Sequence, residues 1–195
     1  MSSAPEIYLH REFTSIVEAV SLKLTPTLQM FDTNITGVHY QFGHPLEIIN
    51  TLSQFENGKT TKFNKYPIVC FFLDSKKTKN NPLNAGMQRV HLAIVRESAD
   101  ANGNDTANDR DIKNFIPVLT PIYLELLTQI KLRADLFTGI FNEQSLSHEV
   151  TYRYYWGKSG LFGNEANIFN DRVDAIEIEN LELTINLNYC PKTYV

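Results

Sequence analysis

The stretch YPIVCFFL, Tyr66 to Leu73, is an unbroken apolar run rich in β-branched and aromatic side chains. A strand with one wet face alternates in polarity, so a run without alternation predicts a central strand covered on both faces. Pro67 suits the first position of such a strand, and Cys70 reads as a small buried hydrophobe. After the polar stretch Asp74 to Gly86, QRVHLAIVRE (Gln88–Glu97) alternates, with Val90, Leu92 and Ile94 on one face. The two strands form a hairpin with a long loop.

Working outward, Phe13, Ile16, Val17, Val20 and Leu24 recur at the spacing of one helical face, and Thr25–Pro26 predicts the end of that helix. GVHYQF sets Val38, Tyr40 and Phe42 against His39 and Gln41, the period of a half-buried strand. Pro45 with Ile48, Ile49, Leu52 and Phe55 predicts a short second helix that stops at Asn57–Gly58. The segment Asp109–Leu132 carries the strongest helical pattern, with Ile112, Phe115, Ile116, Leu119, Ile122, Tyr123, Leu126 and Ile130. Pro117 and Pro121 fall inside it and predict a kink, or a break with a new start near Thr120.

The last quarter holds EVTYRYYW (149–156) and DAIEIENLELTINL (174–187), two alternating strands joined by a glycine-bearing stretch. The phase of the second slips between Ile178 and Leu181, which predicts a bulge near Glu179 and Asn180. Adjacent strand pairs are most simply hairpins. The order therefore predicts one α+β domain over residues 1–195, with a mainly antiparallel sheet and helices packed on one face. Three polar loops, 56–65, 74–86 and 98–108, exceed usual connection lengths and are candidates for contacts with other chains.

A chain of 195 residues is long enough to bury roughly 70% of its unfolded surface, so it needs no disulfide or metal staple. Its two cysteines suggest no disulfide framework. The formal charge of −4 argues against a protein whose main task is gripping nucleic-acid phosphates. Lys76, Lys77 and Lys79 form a local basic loop, read as solvated because Asp74 precedes it and asparagines follow. The N-terminus shows no basic segment followed by an apolar one, and no uninterrupted apolar run approaches a membrane span.

Several apparent motifs fail on geometry. Gly157-Lys158-Ser159 would end a phosphate loop, but the required earlier glycine is Tyr152 and turn-formers follow where a helix is needed. The same stretch falls short of a nucleophile elbow, because Leu161 stands at the second glycine. Asp100, Asn102, Asn104 and Asp111 match positions one, three, five and twelve of a calcium loop. Position six, however, is Asp105 instead of glycine, so the stretch reads as a solvated loop capping the long helix. The five histidines, His10, His39, His44, His91 and His148, lack the close pairing of most zinc sites, although His39 and His91 would meet if their strands paired. Asp171, Asp174, Glu177 and Glu179 gather near the last strand, where a metal-assisted hydrolase is the rival reading. No cofactor is implied.

TYRYYW puts Tyr152, Tyr154 and Trp156 on one side of a strand and Arg153 and Tyr155 on the other. Aromatics and arginine are favoured at protein interfaces, so one face of this strand is expected to meet a partner.

The helix EIYLHREFTSIVEAV, the strand opening YPIVCFFLD, the polar loop before QRVHLAIV, the segment NDRDIKNFIPVLTPIYLELLTQI and the closing YWGKSGLFGNEANIFNDRVDAIEIENLELTIN together resemble the head-to-tail connector and tail-terminator ring proteins of tailed bacteriophages. The resemblance covers nearly the whole chain and rests on layout. It implies a virion structural subunit at the tail or head–tail junction, synthesised in the host cytoplasm, that closes into a homo-oligomeric ring. Its partners would be portal, neck and tail-tube proteins, with DNA passing through an acidic lumen unread and no membrane involved. The family supplies no catalytic residues. The expected interface residues are Lys76, Lys77, Lys79, Asn102, Asn104, Arg153, Tyr155, Lys158, Phe162 and Asn164. An intracellular binding module that recruits a partner through its long loops is the third reading.

Overall fold

The computed structural model describes residues 9–44, 47–48, 65–77, 87–98, 105–138, 146–156 and 173–186. These form an α+β fold in which a five-stranded, mostly antiparallel sheet carries two helices packed against it. In chain order the elements are α1 (Leu9–Leu28), β1 (His39–Gly43), β2 (Ile68–Lys77), β3 (Met87–Glu97), α2 (Ala107–Leu132), β4 (Glu149–Trp156) and β5 (Val173–Thr184). The strand order is β1-β2-β3-β5-β4.

β2 is the covered strand that its apolar run predicts. Val69 and Phe71 join α1 and α2 in the larger core, while Ile68, Cys70 and Phe72 join Ile48, Tyr66, Ala93 and Val95 on the opposite side. Both faces being dry, burial of each large side chain contributes roughly 1.5–3 kcal/mol, which explains why alternation is absent here. β2 and β3 pair antiparallel, as expected. The strand runs on to Lys77, beyond the predicted start of the loop at Asp74, after a register irregularity between Phe72 and Lys76.

β1 is the parallel member of this mainly antiparallel sheet, pairing with β2 so that His39 faces Ile68 and Gly43 faces Phe72. A parallel neighbour needs a crossover instead of a tight turn, and the long connection between Gly43 and Ile68 supplies the length. Of the short helix predicted after Pro45, only residues 47–48 are described, and they are helical. β1 places Tyr40 over α1, where its hydroxyl donates to the His10 carbonyl at 2.5 Å. Gly37 allows the close approach that brings the chain there. A Cβ at this position would lie 2.8 Å from Ser21 Oγ, the oxygen that accepts the Val38 N–H.

α1 buries Phe13, Ile16, Val17 and Val20, the stripe read from the sequence. It continues past Pro26 to Leu28, which is fully buried and anchors the last turn. Proline forfeits one backbone donor, and this close to the end of a helix that loss is small beside the burial of a leucine.

α2 neither breaks nor restarts at Thr120. Ala107–Arg110 is α-helical, Asp111–Leu119 is π-helical, and Thr120–Leu132 is α-helical again. In the wider π winding the Thr120 N–H donates to the Phe115 carbonyl five residues back. Pro117 has no N–H to give to either pattern, and Pro121 sits in the first turn of the following α-segment. The prolines thus mark a change of winding, not an end. Thr106 caps the start in a reciprocal box with Asp109, whose carboxylate accepts from the Thr106 N–H at 2.9 Å. These bonds hold the Asp109 carboxyl below the usual aspartate range.

By length and composition α2 would suffice to cross a membrane. Here Val118, Leu119, Ile122, Leu126 and Ile130 face the core with α1 and the sheet, which accounts for much of its apolar content.

The predicted bulge in β5 is present. Leu92 faces Ile178 while Val90 faces Leu181, and Asn180 takes a left-handed φ of 54°.

Candidate functional site

β1 and β4 end the sheet among the described residues, so each presents an edge without a strand partner there. β4 is the more apolar edge. Val150, Tyr152 and Tyr154, which alternate onto its helix side, are 41%, 45% and 40% exposed. Beneath them the π-segment of α2 supplies Phe115, whose ring lies 5.7 Å from that of Tyr152 and 4.8 Å from that of Tyr154. The Tyr154 hydroxyl donates to Asp111 Oδ1 at 2.6 Å. That bond, with partial burial and the negative charge of Asp111, pushes the phenol up to about 12. The same π-segment turns Ile112 and Ile116 outward, 60% and 65% exposed. Edge strand and widened helix together form a strip of large apolar and aromatic side chains.

Behind this strip lies a buried polar cluster. Arg110, at the end of the first α-turn, donates to Asp174 Oδ1, and Asn114 Nδ2 donates to Asp174 Oδ2 at 2.7 Å. Arg96 on β3 reaches Asp32 Oδ2 at 2.8 Å and the Lys113 carbonyl at 3.0 Å. Burial lowers the Arg96 guanidinium from its usual value, and Asp32 opposes that shift. The cluster ties the π-segment to β3, β5 and the turn after α1.

Its chemistry is structural. Asp174 has no exposed side-chain surface, and both of its oxygens accept hydrogen bonds. A carboxylate buried to this depth and held on both oxygens gives a reacting group no access. Asp171, its companion in the hydrolase reading, lies outside the described residues.

The expected interface residues divide. Arg153 is on β4, half-exposed on the face away from the helices, and its Nε donates to Glu177 Oε2 at 2.6 Å. Tyr155 also belongs to β4. Lys76 and Lys77 belong to strand β2, facing Arg89 and Gln88 of β3, and not to a loop. Lys79, Asn102, Asn104, Lys158, Phe162 and Asn164 lie outside the described residues. Of the calcium pattern, Asp105 pairs with Lys113 and Asp111 accepts from Tyr154. His39 and His91 do not come together. β2 separates their strands, and they face Ile68 and Phe72 respectively, at different levels of β2.

Sequence reading missed Ile112 and Ile116, which it assigned to the core. In an α-helix they share the stripe of Phe115 and Leu119; the π winding rotates them out while Phe115 and Leu119 stay buried. The adjacent prolines were the available signal.

No protein-family model matches the chain, and no curated protein matches it.

Proposed function

We propose that this chain is a virion structural protein, a ring-forming subunit of the head–tail connector or tail terminator of a tailed phage. In that role it joins the portal side of the capsid to the tail and contacts neck and tail-tube proteins, with DNA crossing the lumen. The observation that carries the proposal is the apolar strip formed by Val150, Tyr152 and Tyr154 of β4 with Ile112 and Ile116 of α2. Large side chains of this kind on an open edge are costly to leave in water and suit a contact with a neighbouring subunit. A strip at one end of the sheet meeting a different surface of the next copy gives a heterologous contact, which closes into a ring when the rotation permits.

The resemblance in layout to neck and tail-end ring proteins gives the strip its most economical use. The rival hydrolase reading loses ground because Asp174 is committed to Arg110 and Asn114.

Light scattering together with negative-stain electron microscopy tests the proposal, on the chain alone and mixed with candidate neck and tail-tube proteins. Closed rings of defined copy number are expected in one of these samples. A persistent monomer in all of them overturns the proposal.

A further inference from the structure

The sheet face opposite α1 and α2 brings together His91 of β3 with Glu177 and Glu179 of β5. Each offers one ligand atom, and these atoms lie within 4.8 Å of one another. The bulge makes the meeting possible. Because Leu92 faces Ile178 and Val90 faces Leu181, Glu179 and Asn180 share the single position opposite His91. Glu177 faces Ala93, whose methyl group leaves room between the imidazole and the carboxylates.

The imidazole rests against an aromatic neighbour. Its ring lies 4.7 Å from that of Phe72, and its buried Nε2 has no hydrogen-bond partner among the described residues. A buried polar nitrogen without a partner is costly, and a bound cation would satisfy it. Glu177 is 7% exposed, a depth at which a carboxylate needs a positive counterpart. Arg153 donates to one of its oxygens and is also influenced by Glu179. Neighbouring Glu182 is paired with Arg89, and Glu149 accepts from Asn180.

We infer that His91, Glu177 and Glu179 bind a divalent transition-metal ion of the Zn²⁺ type. One imidazole nitrogen with two carboxylate oxygens suits a borderline ion, whereas Ca²⁺ and Mg²⁺ favour all-oxygen sites. Bond lengths of about 2.0–2.2 Å require the three ligand atoms to draw somewhat closer, within reach of a rotation of the half-buried Glu179 side chain. Arg153 then acts as the outer partner that orients Glu177. The ion would clamp β3 to β5 at the bulge, where the ladder is interrupted.

The test uses the tag-free full chain, stripped with EDTA and titrated with Zn²⁺ alone by calorimetry. Co²⁺ serves as a second probe, read by its visible absorption. One ion per chain is expected, with an unfolding temperature that rises with Zn²⁺. His91→Ala and Glu179→Gln should each weaken binding at least about tenfold, a loss of the size seen even for outer-shell changes. His148→Ala, on the other face beside Tyr123, should leave binding unchanged. Glu179→Gln is isosteric at a position that is not fully buried, so it keeps the test valid should the His91 variant fold poorly. Absence of binding by the wild-type chain, or undiminished binding by a folded His91 or Glu179 variant, overturns the inference.

Discussion

Asp174 and Arg110 stand 64 residues apart in sequence and form an ion pair whose side chains are 0% and 1% exposed. Removing one member leaves the other charge buried without its counterpart, so Asp174→Asn or Arg110→Met should each cost about 3–5 kcal/mol. Replacing both together, as Arg110→Met with Asp174→Leu, should cost less than either single change, because neither member is then left buried without the other. Urea denaturation followed by circular dichroism measures all three. Equal stability of Asp174→Asn and wild type would contradict the structural role assigned to the pair.

The apolar strip predicts a separation of folding from assembly. Ile112→Lys and Ile116→Glu replace side chains that already face water, so each should leave the subunit's stability within about 0.5 kcal/mol. Each should also lower the assembled mass seen by light scattering. Core substitutions such as Leu126→Ala would instead lower stability by about 2–5 kcal/mol, and with it everything downstream.

Tyr154 provides a spectroscopic marker for the same surface. Its neutral phenol is the form that donates to Asp111, so the folded state holds its pKa above the ordinary 10.0, at about 12. The raised value means that this contribution to stability is intact below pH 10 and is lost as pH rises through about 12. An ultraviolet titration of wild type minus Tyr154→Phe should show one late-ionising phenol. Asp111→Ala should return that step toward 10, since the hydrogen bond to Asp111 is the largest cause of the shift.

Cys70 sits wholly buried in β2, where burial pushes its thiol up to about 12. The thiolate is the reactive form, so at neutral pH the folded protein should leave Cys70 unmodified by Ellman's reagent. The experiment needs a Cys190→Ser background, and the thiol should become reactive across the urea transition. Rapid labelling of the folded chain would show that β2 opens far more readily than its packing implies.

Most of the fold is legible in the residues because period and burial report directly on local structure. The unbroken run Tyr66–Leu73 announces a strand covered on both faces, and the phase slip after Ile178 announces the bulge. The parallel placement of β1 leaves no such trace, since His39–Gly43 alternates equally well beside either kind of neighbour. Winding is similarly hidden. Pro117 and Pro121 signal a perturbed helix, but whether it breaks or widens depends on what Phe115 and Leu119 pack against. The pairs that define the candidate sites are the least legible. Arg110 finds Asp174, and His91 finds Glu179, only through the strand order, which is not written in local spacing. For Asn102, Asn104, Lys158, Phe162 and Asn164 the described residues offer no comparison.

The strand order sets a timetable for synthesis. β5 follows β4 in the chain but inserts between β3 and β4. Until it emerges from the ribosome, β3 and β4 have no strand to join them, and Arg110 has been made without Asp174. The non-local pairing slows closure of the sheet and leaves the nascent chain with sticky, incomplete edges. A subunit built this way gains its finished surface only after β5 is in place, so productive assembly waits for translation to pass Thr184.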